Sequence, residues 1–321
     1  MGRADRAATA TARRARYARP PTRVTRRARR RGEGGTMPRL SDSFTIGGLE
    51  IAALSDGAPD RALGGFFHDV DPAAWTSAIG ITDPEDPVPF NFGSFLIRGD
   101  GHLTLIDSGY GVPALAMGIP GGGELPQRIA DLGVGLEEID RVIHTHLHGD
   151  HVGWNIHDNE GDRLMFPNAT FYVHENELAY WTGSASDDNP MAENVRRRIN
   201  PVVAAGRVET TEGEFAVSEA LTMVPAPGHT PGHCTVLAAS QGTNLLLLGD
   251  AAHHPVHLEH HDWIPQVDLD PAESTRSRGK IARLAIEKDA IVTSGHFPIL
   301  SLGRIREVEG GYKWELIEEL G

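Results

Sequence analysis

The chain has 321 residues, with 30 Lys and Arg against 44 Asp and Glu, and a formal net charge of −14 at pH 7. Its first 36 residues run the other way, with 12 Arg against 2 acids and no apolar run of seven, so they are neither a signal peptide nor a membrane span. Their +10 leaves −24 on the remainder, which argues against a nucleic-acid groove, and no membrane partner is expected.

Three readings of residues 1–36 are open: an organellar transit peptide, a nucleic-acid-binding arm, or a stretch that is not translated because the start lies at Met37. We favour the third, because ordinary domain sequence, Pro38 to Phe44, follows Met37 at once; in every case the segment is expected to be disordered. Residues 37–321 then form the folded domain. The single cysteine, Cys234, excludes an intrachain disulfide, fits a reducing cytoplasm, and is expected to be a buried, unreactive thiol.

Residues 44–54 read as a hairpin around Gly47-Gly48. Residues 57–89, with five prolines, read as irregular; Phe66, Phe67 and Trp75 suggest a flap over a site. Residues 92–98 and 102–106 pair across Gly99-Asp100-Gly101 and lead into Asp107-Ser108-Gly109. A short helix over 124–132 precedes a strand over 141–145. Beyond it come a strand ending at Val173, a helix over 175–181, and a helix from Asn189-Pro190 to about Ala205, with Pro at the favoured first position. Residues 220–224 form a strand, and 234–239 pairs with 244–248, whose run of Leu marks a central strand. Asp270-Pro271-Ala272-Glu273 is a capping box opening a helix to about Lys288, and strand 290–293 presents Ser294-Gly295-His296.

The chemistry concentrates after strand 141–145, in His146-Leu147-His148-Gly149-Asp150-His151. Side chains alternate at a strand end, so His146 and His148 face one point, while Asp150 and His151 reach a second beyond the Gly149 turn. Isolated histidines are mostly surface residues. Four candidate ligands in six residues directly after an apolar strand instead suggest two adjacent metal ions, and imidazole with carboxylate suits Zn²⁺ or its first-row neighbours. His229, Asp250 and His296 each stand in a loop beside an apolar strand and are further ligand candidates.

The stretch His144-Thr145-His146-Leu147-His148-Gly149-Asp150-His151-Val152-Gly153 resembles the signature of the metallo-β-lactamase superfamily. The resemblance implies an αββα sandwich over about residues 40–318. It implies His146, His148 and His229 on one ion, Asp150, His151 and His296 on the other, and Asp250 bridging, for two Zn²⁺ per chain. It makes Asp107 a supporting acid rather than a ligand. His144 and His233 read as supporting groups, and His257, His260 and His261 as a loose surface tract. Residues 167–170, Tyr180-Trp181, 227–233 and 303–314 are similar to acyl-homoserine lactonases and methyl parathion hydrolase. Many lactonases of that group carry Tyr where this chain has His253, and Trp154 replaces a frequent Gly.

The implied function is a lactonase or esterase acting on acyl-homoserine lactone-like small molecules through a hydroxide shared by the two metals, with Asp150 or His253 passing the proton. The alternatives are phosphotriester hydrolysis and a metal- or ligand-binding protein without turnover; the oligomer is left open, a homodimer included. Trp154, Phe66, Phe67, Trp75 and Phe90 are expected to line the pocket. Lys and Arg are scarce near the motifs apart from Arg141 and Arg163, so no clamp for a substrate carboxylate is expected and β-lactam turnover should be negligible.

Overall fold

The structure is a computed structural model that describes residues 24–26, 41–62, 66–158, 161–298 and 301–317. Two sheets pack face to face. The first runs, in spatial order, Val24–Arg26, Ser41–Ile46, Leu49–Ser55, Gly93–Gly99, His102–Ile106, Arg141–Ile143, Thr170–His174 and Val208–Thr211. The second runs Phe215–Ala216, Leu221–Pro225, Cys234–Ser240, Thr243–Leu247, Ile291–Thr293, Gly303–Val308 and Gly311–Leu316.

Strict alternation of side chains sorts the layers. Ile51 and Ala53 point between the sheets, onto Val236, Leu245 and Leu247, whereas Ala52 and Leu54 point outward. The outward face is covered by helices Leu125–Asp131, Glu175–Thr182 and Ala192–Ala204, through Ile129, Trp181, Val195 and Ile199. On the far side Leu246, Leu248 and Val292 meet Ile281, Ala282 and Ala285 of helix Pro271–Glu287. These four layers are the expected αββα sandwich. No described helix is long and apolar enough to cross a membrane.

Three expectations need correction. Residues 57–89 are not irregular: Asp60–Ala62 pairs with Pro87–Pro89, Phe67–His68 pairs with Ile264–Pro265, and Pro72–Ile79 is a helix. Asp71 caps that helix by accepting from the Ala73 N–H at 2.9 Å, with Pro72 at the first position, a start signal hidden among the prolines. Helix Ala192–Ala204 begins at Ala192 rather than Pro190, because Asn189 Oδ1 closes a turn on the Met191 N–H instead of capping the helix. Within the Arg-rich segment, residues 24–26 form a strand that pairs antiparallel with Ser41–Ile46. Residues 1–23 and 27–36 lie outside the described residues.

Parallel neighbours set the site. His102–Ile106 and Arg141–Ile143 run parallel, as do Thr243–Leu247 and Ile291–Thr293, so their C-terminal ends emerge together. Those ends carry Asp107, His146, Asp250 and His296.

Candidate metal centre

The residues singled out in the sequence converge. Donor atoms of His146, His148, His229 and Asp250 lie within 4.8 Å of one another, as do those of Asp150, His151 and His296. Asp250 stands between the groups. Its Oδ2 is 3.3 Å from His229 Nε2 and 3.7 Å from His146 Nε2. Its Oδ1 is 3.2 Å from His151 Nε2 and 3.1 Å from His296 Nε2.

The outer nitrogens are fixed by partners. His151 Nδ1 lies 2.8 Å from Asp107 Oδ2, His229 Nδ1 2.9 Å from Asp268 Oδ1, and His296 Nδ1 2.7 Å from the Asn91 carbonyl. With Nδ1 spent on an acceptor, the ring turns Nε2 inward as a lone-pair donor. His148 turns its Nδ1 inward instead, 2.9 Å from His229 Nε2. Asp107, at φ +57, also accepts from the Thr145 N–H at 2.8 Å and so pins the chain one residue before His146.

Buried His146 Nε2, His151 Nε2 and Asp250 Oδ1 have no hydrogen-bond partner. Each unsatisfied buried polar atom costs ~1–3 kcal/mol, against a whole-protein stability of ~5–15 kcal/mol. Three in one cage are tolerable when the cage serves to ligate. Electrostatics agree. Burial alone would raise the Asp250 carboxyl, but the imidazoles of His296, His151, His253 and His146 outweigh it and hold the group well below the usual carboxylate range. Burial keeps His146 and His148 well below the usual imidazole value, hence neutral. At His151 burial is outweighed by Asp250, Asp107 and Asp150, and at His229 by Asp250 and Asp268, which push His229 up to about 9. A cage that raises imidazole basicity in this way draws in cations, and a divalent metal displaces the protons. The donor set fits two first-row divalent ions.

Residues 94–157 match the family described as the Metallo-beta-lactamase superfamily. The chain is similar to the N-acyl homoserine lactonase AttM of Rhizobium radiobacter, 29% identical over 236 residues, which is 67% of this chain and 84% of that protein. Matches to N-acyl homoserine lactonases of Bacillus thuringiensis and Bacillus cereus span 54% and 56% of those proteins. The fold superposes on AidC, described as a dizinc quorum-quenching lactonase, with TM-score 0.77 at 21% identity, covering 88% of this chain and 100% of that one. It superposes equally on a hydrolase of the β-lactamase superfamily, AbOPH, with TM-score 0.76 at 23% identity, covering 88% and 99%. These relatives and neighbours are hydrolases.

Around the centre the expected pocket aromatics separate. Phe90 stacks on His296 with centroids 4.5 Å apart, and Phe66 meets His253 edge-on at 5.3 Å. Phe67 meets His257 at 5.0 Å, one ring further out. Trp75 is 1% exposed and stands behind Phe67 at 6.4 Å, so it backs the wall instead of forming its surface. Trp154 is taken up by a tether: its indole N–H donates to Asp56 Oδ2 at 3.0 Å. Sequence patterning missed Phe92 and Tyr110, which continue the aromatic wall from His296. It also missed Arg61, whose guanidinium sits 4.9 Å from the Phe90 centroid and 5.5 Å from that of Phe92, against the expectation that no such cation borders the site.

The histidine tract is not loose. His257 is fully buried and accepts from the His253 N–H at 3.1 Å. His260 stacks on Trp263 at 4.0 Å, and His261 on Tyr312 at 4.9 Å. His233 Nε2 accepts from the Asp250 N–H at 2.9 Å, and His144 Nε2 contacts Asn155 Oδ1 at 3.0 Å, both supporting positions. Gly249, at φ +54, fits there because a Cβ would come within 2.7 Å of that His233 nitrogen.

Three further supports were not legible. Glu177, fully buried, accepts from Leu147 N–H at 2.9 Å, Trp181 Nε1–H at 2.7 Å and Gly232 N–H at 3.0 Å, joining the loop of His146 and His148 to that of His229. Burial raises its carboxyl, and these donors, with Thr230, oppose the rise. Asp56 likewise ties Gly111, Leu125 and Trp154; burial pushes it up to about 6 against those donors. Arg278 anchors Asp268 at 2.6 Å.

Proposed function

We propose that this protein is a dinuclear zinc hydrolase that opens lactones of the acyl-homoserine lactone kind, or cleaves similar esters. The observation that carries the reading is the Asp250 carboxylate, with one oxygen facing His146 and His229 and the other facing His151 and His296. The lactonase names among its relatives support the substrate class. Two bound Zn²⁺ ions would supply Lewis acidity at the carbonyl and a water acidified to a pKa of about 7. His146, His148 and His229 would hold one ion and Asp150, His151 and His296 the other, with Asp250 shared.

The chain's own groups do the rest. Asp107 and Asp268 fix ring orientation, so the donors need no rearrangement when substrate arrives. His253 directs Nε2 at Asp250 Oδ2 from 3.2 Å and leaves Nδ1 without a partner. Burial holds its imidazole down to about 4, so at neutral pH it is uncharged, and its free Nδ1 can take up the proton released by the attacking water and pass it on to a leaving alkoxide. Asp150, with 21% of its side chain exposed, is the second proton carrier.

His253→Phe should lower kcat by about 10²–10³ while metal content is kept. Steady-state kinetics beside metal analysis check this; unchanged kcat, or loss of metal, would remove the proton-passing role. The decisive screen offers the zinc-loaded protein lactones, phosphotriesters, thioesters and β-lactams, with lactone turnover expected to dominate. Within the lactones, the wall of Phe66 and Phe90 should make kcat/KM rise with acyl length, by at most ~0.8 kcal/mol per methylene. A flat response would show that the chain does not meet that wall.

A further inference from the structure

Arg61 is the one described cation placed against the aromatic wall of the site. It lies on strand Asp60–Ala62, opposite Val88, and it is exposed. Its guanidinium rests on Phe90 and Phe92, and both rings touch His296. No ion pair or side-chain hydrogen bond engages it among the described residues, so its N–H donors are free. Tyr110 marks the same rim. Burial and Asp150 raise its phenol, whereas Arg61 and Arg198 lower it. Tyr110 also packs on Phe92 at 4.8 Å.

An exposed arginine is ordinarily just solvated. Here two ring faces hold it in place, which removes much of the side-chain entropy a hydrogen bond would otherwise cost. Phe90 lies between Arg61 and His296, so a substrate whose acyl portion runs from the metal ligands along Phe90 would pass beneath those donors. Phe90 itself has no polar atom to recognise anything there.

We propose that Arg61 is the specificity-determining residue for the acyl-amide carbonyl, the group that distinguishes an N-acyl amino lactone from a plain alkyl lactone. The proposal rests on the lactonase reading, and its test separates the two. A charged donor strengthens a hydrogen bond to a neutral carbonyl and exposure reduces the gain, so the effect should be about tenfold.

The experiment compares N-hexanoyl homoserine lactone with an alkyl γ-lactone of equal length, using the full-length metal-loaded protein, Arg61→Ala and Arg61→Gln. Arg61→Ala should cut the preference for the amide-bearing lactone about tenfold, mainly through KM, and Arg61→Gln should restore part of it because a donor remains. Calorimetric binding of N-cyclopentyl hexanamide, which cannot be hydrolysed at a lactone, should weaken about tenfold in Arg61→Ala. Preference and amide affinity that are unchanged in Arg61→Ala would overturn the proposal even if lactones are opened. Weakened amide binding without turnover of any lactone would sink the lactonase reading and leave Arg61 in its role. A preference that moves to carboxylate-bearing esters and collapses in high salt would show that the guanidinium selects charge instead of a carbonyl, which also overturns it.

Discussion

Asp250→Ala should abolish turnover, by about 10³-fold or more, and reduce bound metal from two ions per chain to at most one. The carboxylate is 3% exposed and stands between both imidazole groups, each of its oxygens within about 3–4 Å of donors on either side. Truncation removes the shared anion, so the imidazoles of His151 and His229 lose much of what holds them near a cation. Asp250→Asn keeps the shape and loses the charge; it should resemble the alanine variant in metal content. Metal analysis under non-chelating conditions, read beside kcat/KM, decides the matter. Near-normal turnover with a single ion would dismantle the dinuclear reading.

Arg278→Met should destabilise the fold by ~3–5 kcal/mol, the usual cost of leaving a buried charge without its partner. Arg278 is 1% exposed. Its Nε donates to the Ala251 carbonyl at 2.8 Å, its Nη1 to the carbonyls of His261 at 3.0 Å and Trp263 at 3.3 Å, and its Nη2 to Asp268 Oδ2 at 2.6 Å. Met matches the length and removes every donor, so the Asp268 carboxylate keeps only His229. The melting temperature should fall by roughly 5–15 °C. In the native protein burial would raise Asp268, but His229 and Arg278 outweigh it and hold the carboxyl far below its usual range. A depressed carboxyl contributes stability above its unfolded pKa and loses it as pH falls toward the folded value. The deficit of Arg278→Met should therefore be full at neutral pH and shrink in acid. Denaturant titrations at pH 7 and pH 3 check this. Adding Asp268→Asn should recover part of the loss, because the stranded charge is gone; strictly additive losses would show that the pair is not coupled.

The ligands were legible because they sit at the ends of apolar strands, where sequence alone shows both the strand and the polar turn after it. His146, His148, Asp150 and His151 are also neighbours in the chain, so their convergence needs no knowledge of distant packing. Asp107 was legible for the same local reason. Glu177 was not: it stands in the first turn of a helix, where an acid is unremarkable, and only the packing of Gly232 and Leu147 against it makes it a clamp. Arg278 lies on an amphipathic helix at a position that reads as solvent-facing until the loop 261–268 covers it. Trp75 misled because an aromatic in a proline-rich stretch resembles a lid; the cap at Asp71 turns that stretch into a helix with its own small core. Arg61 escaped notice because it is far in sequence from each metal motif and reaches the site only through Phe90 and Phe92.

The division of the seven ligands between the sheets has a consequence for biosynthesis. Four belong to the loop after Arg141–Ile143 in the first sheet, and His229, Asp250 and His296 belong to the second. A nascent chain that has exposed His146 to His151 offers four donors but no complete cage for either ion. On the proposed ligand set the first ion would lack His229, the second would lack His296, which emerges last, and both would lack the shared Asp250. Metal capture would then follow docking of the two halves, and a bound ion would act as a late lock on a sandwich held by its apolar layers rather than as its nucleus.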